Sequence, residues 1–167
     1  MNGRKRGSRS LETPRTARCS CTALRKASRR MSQLYDSLLE PCGLRTTQRA
    51  ILVHIAGSGP PLAGELAAAL VMNRGALTHN LRPLARNALI AVRSDPLDHR
   101  RRLIEITAKG RRTLAKSEAL WIRAQRRFEH AFGQANAAAL HRALGFIASE
   151  AFLRGFAQFG ASRRRAA

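Results

Sequence analysis

Residues 95–110 read Asp-Pro-Leu-Asp-His-Arg-Arg-Arg-Leu-Ile-Glu-Ile-Thr-Ala-Lys-Gly, which is the most informative segment of the chain about its fold. Its first four residues have the composition of a turn, and the run 103–106 predicts a β-strand. Before the turn, Ile90 and Val92 alternate with small or charged residues, which predicts an antiparallel partner strand. Because an isolated two-stranded hairpin is only marginally stable, it must pack against helices.

The sequence before the hairpin begins with two predicted helices. Apolar residues at steps of three and four predict a first helix that ends near Pro41 and Gly43: Leu24, Ala27, Met31, Leu34 and Leu38. Thr46 and Thr47 can cap a second helix. The Gly- and Pro-rich run 57–61 ends that helix.

Two short helices are predicted next, over residues 62–70 and in a segment that Asn73 can cap. A separation of about three residues is typical of a helix-turn-helix. Val71 occupies the turn between them, where such motifs often have glycine. Pro83 lies inside the second of these helices, where it removes one backbone hydrogen bond or causes a kink.

The hairpin is followed by two further predicted helices. Thr107 can cap the first of them, and the second follows Gly133. Four phenylalanines lie partly off the apolar stripe of the last helix: Phe146, Phe152, Phe156 and Phe159. A small domain cannot bury all of them, which indicates a partner subunit. The fold class is therefore mainly α with a small β-hairpin.

The chain is strongly basic. Its 167 residues carry 31 Lys and Arg against 10 Asp and Glu, a formal net charge of +21, which favours a polyanionic partner such as nucleic acid. We interpret residues 1–18 as a basic disordered arm and residues 161–167 as a basic tail. The length suits one domain between them.

Several protein classes are disfavoured by what the sequence lacks. No apolar run approaches the roughly 18 residues that span a bilayer, and no signal-peptide core follows the N-terminal charges. We therefore expect a cytoplasmic protein with no membrane contact and with reduced cysteines. The sequence has no Gly-rich phosphate loop, no nucleophile elbow and no metal-ligand spacing of His and Cys. We expect no enzyme, no metal and no cofactor.

Residues 21–114 resemble the MarR (multiple antibiotic resistance regulator) family. The most specific match is Asp98-His99-Arg100 with the strand end Ile106-Thr107-Ala108-Lys109-Gly110, which fits the Asp-x-Arg wing of that family and its apolar-Thr-x-x-Gly element. Further matches follow in the family's order: Gly43-Leu44, Thr47-Gln48, the segment 65–70, Asn73-Arg74 and Leu77-Thr78.

The resemblance implies a winged helix-turn-helix over residues 45–110 within a MarR-type domain, 19–160. Dimerisation helices would occupy residues 19–42 and 111–157. Such a protein is a homodimeric transcriptional regulator, here expected to be a repressor, that reads a near-palindromic operator in double-stranded DNA. Its half-sites should lie about 10 base pairs apart. The alternative is a sequence-independent DNA-compacting protein, since the charge alone supplies non-specific binding.

The resemblance also implies which residues contact DNA. The recognition helix would present Arg74, Gly75, Ala76, Thr78, His79 and Arg82 to the major groove. The wing would contribute Arg93, Asp98, Arg100 and Arg101, with Asp98 orienting Arg100 in the minor groove.

Two routes of regulation remain open. Cys21 resembles the peroxide-reactive cysteine of the family's organic-hydroperoxide-sensing branch, in which a tyrosine at the place of Tyr35 hydrogen-bonds the sulfur. Basic neighbours favour its thiolate, and Cys19 could resolve an oxidised Cys21 only if the chain is not helical there. Alternatively, both cysteines are small residues at a helix start, and a small aromatic or lipophilic effector binds a cleft lined by Tyr35, His54 and Trp121.

Overall fold

The computed structural model describes residues 19–96, 98, 99 and 101–164, with the last five of these described by their backbone only. The elements are α1 (Ser20–Leu39), a 3-10 turn (Glu40–Cys42), α2 (Thr46–Ser58), α3 (Ala63–Ala69), α4 (Arg74–Arg86), β1 (Ile90–Ser94), β2 (Arg102–Ile106), α5 (Ala108–Phe132), α6 (Gln134–Ile147) and α7 (Glu150–Arg164). The described residues divide into two units, one that ends at Leu34 and one that begins at Tyr35. The predicted mainly α fold with one hairpin is confirmed.

One hydrophobic core supports the helix-turn-helix and the hairpin together. It is built from buried residues of α2, α3, α4 and both strands and their flanks: Leu44, Ile51, Leu52, Ile55, Leu66, Ala67, Leu77, Leu84, Leu89, Ile90, Ile104 and Ile106. The apolar residues of α4 recur at helical spacing, so that one side of this helix is buried and the other is free for solvent.

The hairpin has the predicted strands and a third, short contribution from before α3. Ile90 pairs with Ile106 and Val92 with Ile104 in an antiparallel ladder. In addition, the N–H of Ile104 donates to the carbonyl of Pro61 at 3.0 Å, and Leu62 bridges Leu103. A proline suits this edge because its carbonyl accepts although it has no N–H to donate.

The junction between the hairpin and α5 is fixed by Thr107 and Gly110. The Thr107 hydroxyl accepts from the N–H of Gly110 at 2.9 Å and donates to the carbonyl of Ala88 at 2.8 Å, and the N–H of Thr107 donates to the carbonyl of Leu89. Gly110 is buried so closely against Leu89 that no side chain fits. The cap predicted at Thr107 is therefore confirmed.

The single last helix predicted from the sequence is wrong, because two helices occupy that segment. α6 ends at Ile147 and α7 begins at Glu150. The Ser149 hydroxyl donates to the carbonyl of Phe146 at 2.7 Å and accepts from the N–H of Phe152 at 3.3 Å. Serine before an acidic residue is a helix-start signal that was present in the sequence and was overlooked.

No helix in the described ranges combines the length and apolar character required to cross a bilayer.

Candidate nucleic-acid interface

The start of α4 is set by Asn73, whose side-chain oxygen accepts from the N–H of Ala76 at 2.8 Å. This is the cap predicted from the sequence, and it satisfies one of the free N–H groups of the first turn. Leu77 and Leu84 are buried below the helix, which fixes its rotation about its own axis.

The opposite side of α4 is exposed. Arg74, Thr78 and Arg82 follow one another at four-residue steps, so that they form one row along the helix. Gly75 and His79 lie beside that row and are also exposed, whereas Ala76 is half-buried. Five of the six residues predicted on the recognition helix therefore share an accessible surface.

The turn between α3 and α4 closes without glycine. Val71 adopts a left-handed backbone conformation with φ of 50°, and the N–H of Met72 donates to the carbonyl of Ala67 at 2.8 Å. Such a conformation costs about 1–2 kcal/mol in a residue with a β-carbon. α4 also continues through Pro83 to Arg86. Both departures from the usual motif are thus accommodated.

The three arginines of the hairpin that the structure describes each have a different hydrogen-bond or ion-pair partner. The Arg93 guanidinium forms an ion pair with Glu105 of the neighbouring strand at 3.0 Å and is mostly exposed. Arg102 donates to the Ser94 hydroxyl at 3.0 Å. Near the tip, the N–H of Arg101 donates to the carbonyl of Asp98 at 2.9 Å. Arg100 lies outside the described residues, so its orientation by Asp98 stays a prediction.

A buried arginine that the sequence analysis missed joins α2 to α5. Arg49 is 8% exposed, and its Nε donates to the Ser117 hydroxyl at 3.1 Å. Its terminal nitrogen pairs with Glu118, and its guanidinium lies 4.7 Å from the centre of the Trp121 ring. Arg49 lies three residues before Leu52 on the inner side of α2, a spacing that could have revealed it.

Tyr35 is held by the same long helix. Its hydroxyl donates to Oε1 of Gln125 at 2.9 Å, and Gln125 in turn donates to Glu129. Burial raises the pKa of Tyr35, and the negative charge of Glu129 adds to the effect. Of the three residues predicted to line an effector cleft, Tyr35 thus contacts α5 at Gln125, one turn after Trp121, while His54 is half-buried on α2.

The two N-terminal cysteines lie at the beginning of α1, and both are exposed. Cys19 directly precedes the helix, and its carbonyl accepts from the N–H of Ala23 at 3.0 Å. Hydrogen bonds from the side chain and then from the backbone of Thr22 lower the pKa of the Cys19 thiol. Cys19 therefore lies directly before α1, while Cys21 lies in its first turn, and a disulfide between them stays a prediction.

Large apolar side chains remain exposed on the last two helices, as the sequence analysis expected. Phe152 contacts Phe146 edge-on at 5.6 Å between ring centres and Phe156 at 6.0 Å. The exposed members of this apolar surface are Leu144, Phe146, Ile147, Leu153, Phe156 and Phe159.

Helices α2 to α4 with the attached hairpin form a winged helix-turn-helix, and solved structures of transcriptional regulators share this fold. No protein-family model matches the chain, and no curated protein matches it. The M. tuberculosis transcriptional regulator MosR in complex with DNA is 34% identical, with 81% of this chain and 97% of that chain covered and a TM-score of 0.72.

Two further solved structures share the fold. The transcriptional repressor CouR bound to a 23-mer DNA duplex is 26% identical, with 83% and 99% of the two chains covered and a TM-score of 0.74. A mutant MarR from E. coli complexed with operator DNA is 20% identical, with 75% and 90% covered and a TM-score of 0.68, a likeness of fold alone. The chain belongs to the MarR family of transcriptional regulators.

Proposed function

We propose that the protein is a homodimeric, sequence-specific DNA-binding repressor. The observation that carries this proposal is the row Arg74, Thr78 and Arg82, exposed along a helix whose other side is buried in the core that also supports the cationic hairpin. An α-helix fits the major groove of DNA, and a hairpin beside it can reach the adjacent groove. MosR and CouR are each described in complex with DNA, which supports this assignment.

The contacts fall into two groups. Arg74, in the first turn of α4, is placed to read a guanine through two parallel hydrogen bonds, and Thr78 and Arg82 extend the contact along the groove. On the hairpin, Arg100 and Arg101 would enter the minor groove with Asp98 as the orienting group. Arg93 reaches a phosphate by exchanging its carboxylate partner for a phosphate oxygen.

A second copy of the chain would cover the exposed apolar surface of α6 and α7. Six large apolar side chains exposed on two adjacent helices exceed what a monomer usually leaves in water. We therefore retain residues 19–42 and 111–157 as dimerisation helices around the reading unit 45–110. The basic arm 1–18 and the tail 161–167 would add phosphate contacts in the cytoplasm.

Competition binding tests this function. The dimer should bind the DNA upstream of its own gene about 10³-fold or more tightly than random duplex at about 150 mM salt. Arg74→Ala should reduce that ratio by roughly 5- to 150-fold, because one bidentate base contact discriminates by about 1–3 kcal/mol. Arg142→Ala on α6 removes the same charge from an exposed position and serves as the matched control.

The control should leave the ratio within about threefold of the unchanged protein, since one surface charge affects all sequences alike. If the two variants reduce the ratio equally, Arg74 does not read a base. A ratio near one for the unchanged protein, at every salt concentration, would support DNA compaction instead.

Regulation of the repressor has two candidate routes. A small effector would bind near Tyr35, His54 and Trp121, a proposal supported by the structure of CouR bound to p-coumaroyl-CoA. The second route is thiol oxidation. One thiolate of the pair attacks an organic hydroperoxide and becomes a sulfenic acid, with release of the alcohol, and the other thiol then forms a disulfide with release of water. The lowered pKa and non-helical position of Cys19 support this pair.

Peroxide treatment distinguishes the two routes. We expect an organic hydroperoxide to abolish operator binding and dithiothreitol to restore it, whereas Cys19→Ser and Cys21→Ser should each still bind after treatment. Cys42→Ser, which removes a half-buried thiol elsewhere, is the control and should respond like the unchanged protein. Operator binding that survives peroxide in the unchanged protein would leave the effector route alone.

A further inference from the structure

α5 carries a row of cations on the side opposite its buried face. Gly110, Ser117 and Ala124 are the buried residues of this helix. About half a turn round the helix lie five exposed cations, which we call the α5 basic stripe: Arg112, Lys116, Arg123, Arg126 and Arg127. Arg112, Lys116, Arg123 and Arg127 follow at steps of four and seven residues and form one line about 23 Å long, with Arg126 beside Arg127.

The positive charge of the stripe is not balanced within the described residues. The two acidic residues of α5 lie off the line and are engaged elsewhere, Glu118 with Arg49 and Glu129 with Gln125. None of the ion pairs found between described residues includes a member of the stripe. The like-charged pairs Arg112–Lys116 and Arg123–Arg127, four residues apart, repel one another in the free protein. An anionic partner would remove that repulsion.

The chemistry of the stripe favours one kind of partner. Ile122, 37% exposed, is the one exposed large apolar residue beside these cations, and no exposed aromatic residue lies between them. Contacts made by such a row of arginine and lysine are mainly electrostatic and independent of sequence, which suits a phosphate backbone. A membrane surface would require apolar residues beside the cations. A protein interface normally has buried aromatic anchors at its centre. Although residues 111–157 are assigned to dimerisation, two copies of a purely cationic stripe would repel each other, so we expect this side of α5 to face water in the dimer.

The far end of the stripe is also separate from the proposed reading surface. The turn of α5 that contacts the hairpin contains Gly110, and Arg123, Arg126 and Arg127 lie about 20–26 Å further along the helix. We infer that the α5 basic stripe binds the backbone of a second double-stranded DNA segment while α4 and the hairpin hold the first. This inference rests on the proposed function for the first duplex, and it gives the repressor the ability to bridge two DNA segments.

A bridging assay tests the inference. Operator DNA is immobilised and saturated with the full-length dimer, and capture of a labelled random duplex is measured between about 50 and 300 mM salt. We expect capture at low salt that disappears as salt rises, because salt screens exposed charges. The triple variant R123Q/R126Q/R127Q should capture at least about tenfold less, with operator affinity within about threefold.

The matched control is K26Q/R29Q/R30Q, which removes three exposed cations from α1 and gives the same net charge. It should capture as the unchanged protein does, and light scattering should show both variants to be dimers. Equally reduced capture in the two variants, or no capture by the unchanged protein, would overturn the inference. In the second case an acidic protein surface becomes the remaining partner.

Failure of the proposed function would give a different result. If the unchanged protein shows no preference for operator DNA, the role of the stripe is tested only by how the affinity for random duplex depends on salt. The slope of log affinity against log salt should then become shallower by about 0.9 for each phosphate that R123Q/R126Q/R127Q no longer neutralises, and it should stay unchanged in the control. Equal slopes in both variants would overturn the role of the stripe.

Discussion

Gly110→Ala is expected to lower the free energy of unfolding by about 3 kcal/mol, a large fraction of the stability of a domain of this size. A β-carbon at this position would lie far inside van der Waals contact with the carbonyl oxygen of Leu89 and 2.8 Å from Cγ1 of Ile106. The carbonyl belongs to the backbone and accepts from the N–H of Thr107, so it cannot move aside without opening the base of the hairpin. Urea unfolding measures the destabilisation.

Gly64→Ala is the matched control, because it adds the same methyl group to a helical glycine that has nothing within 4 Å of the new β-carbon. Alanine is the better helix former by about 1 kcal/mol, so this variant should be at least as stable as the unchanged protein. If Gly110→Ala proves no less stable than Gly64→Ala, the close approach between α5 and the start of the hairpin is not a constraint on the fold.

Most features that the sequence predicted correctly have short-range causes, although the cap predicted at Thr46 and Thr47 is wrong, because Arg45 precedes α2 and the N–H of Thr46 donates to Asp36. The cap at Asn73, the cap at Thr107 and the two strands each follow from residues within a few positions of one another. The exposed row of α4 follows from helical spacing once Leu77 and Leu84 are placed in the core. The resemblance to the MarR family, and not the local sequence pattern, predicted that this row contacts DNA.

The features that were missed depend on contacts between distant parts of the chain. The bridge from Leu62 to Leu103 joins a segment that was interpreted only as a helix break. The inner position of Arg49 on α2 follows from helical spacing, but its partners lie 68 to 72 residues further on, and periodicity cannot identify them. The sequence also cannot show which residues of the candidate site contact DNA, because those contacts depend on the geometry of the bound DNA.

Arg49→Ala should destabilise the protein by about 2–3 kcal/mol, and three contacts of the Arg49 side chain contribute to this loss separately. The contact of the guanidinium with the Trp121 ring contributes about 1–2 kcal/mol in a site largely closed to water. The hydrogen bond to Ser117 adds about 1 kcal/mol. The ion pair with Glu118 adds little, because that carboxylate is 53% exposed and is screened by solvent.

Arg45→Ala is the matched control, because it removes the same type of side chain four residues earlier in the sequence. The Arg45 side chain is 78% exposed and reaches Asp36 only at 3.7 Å, so its removal should cost less than about 0.5 kcal/mol. A double-mutant cycle of Arg49→Ala with Trp121→Leu should give a coupling of about 1–2 kcal/mol. Coupling near zero would assign the destabilisation to Ser117 and to packing of the arginine stem, and would remove the ring contact as the reason that α5 is held against α2.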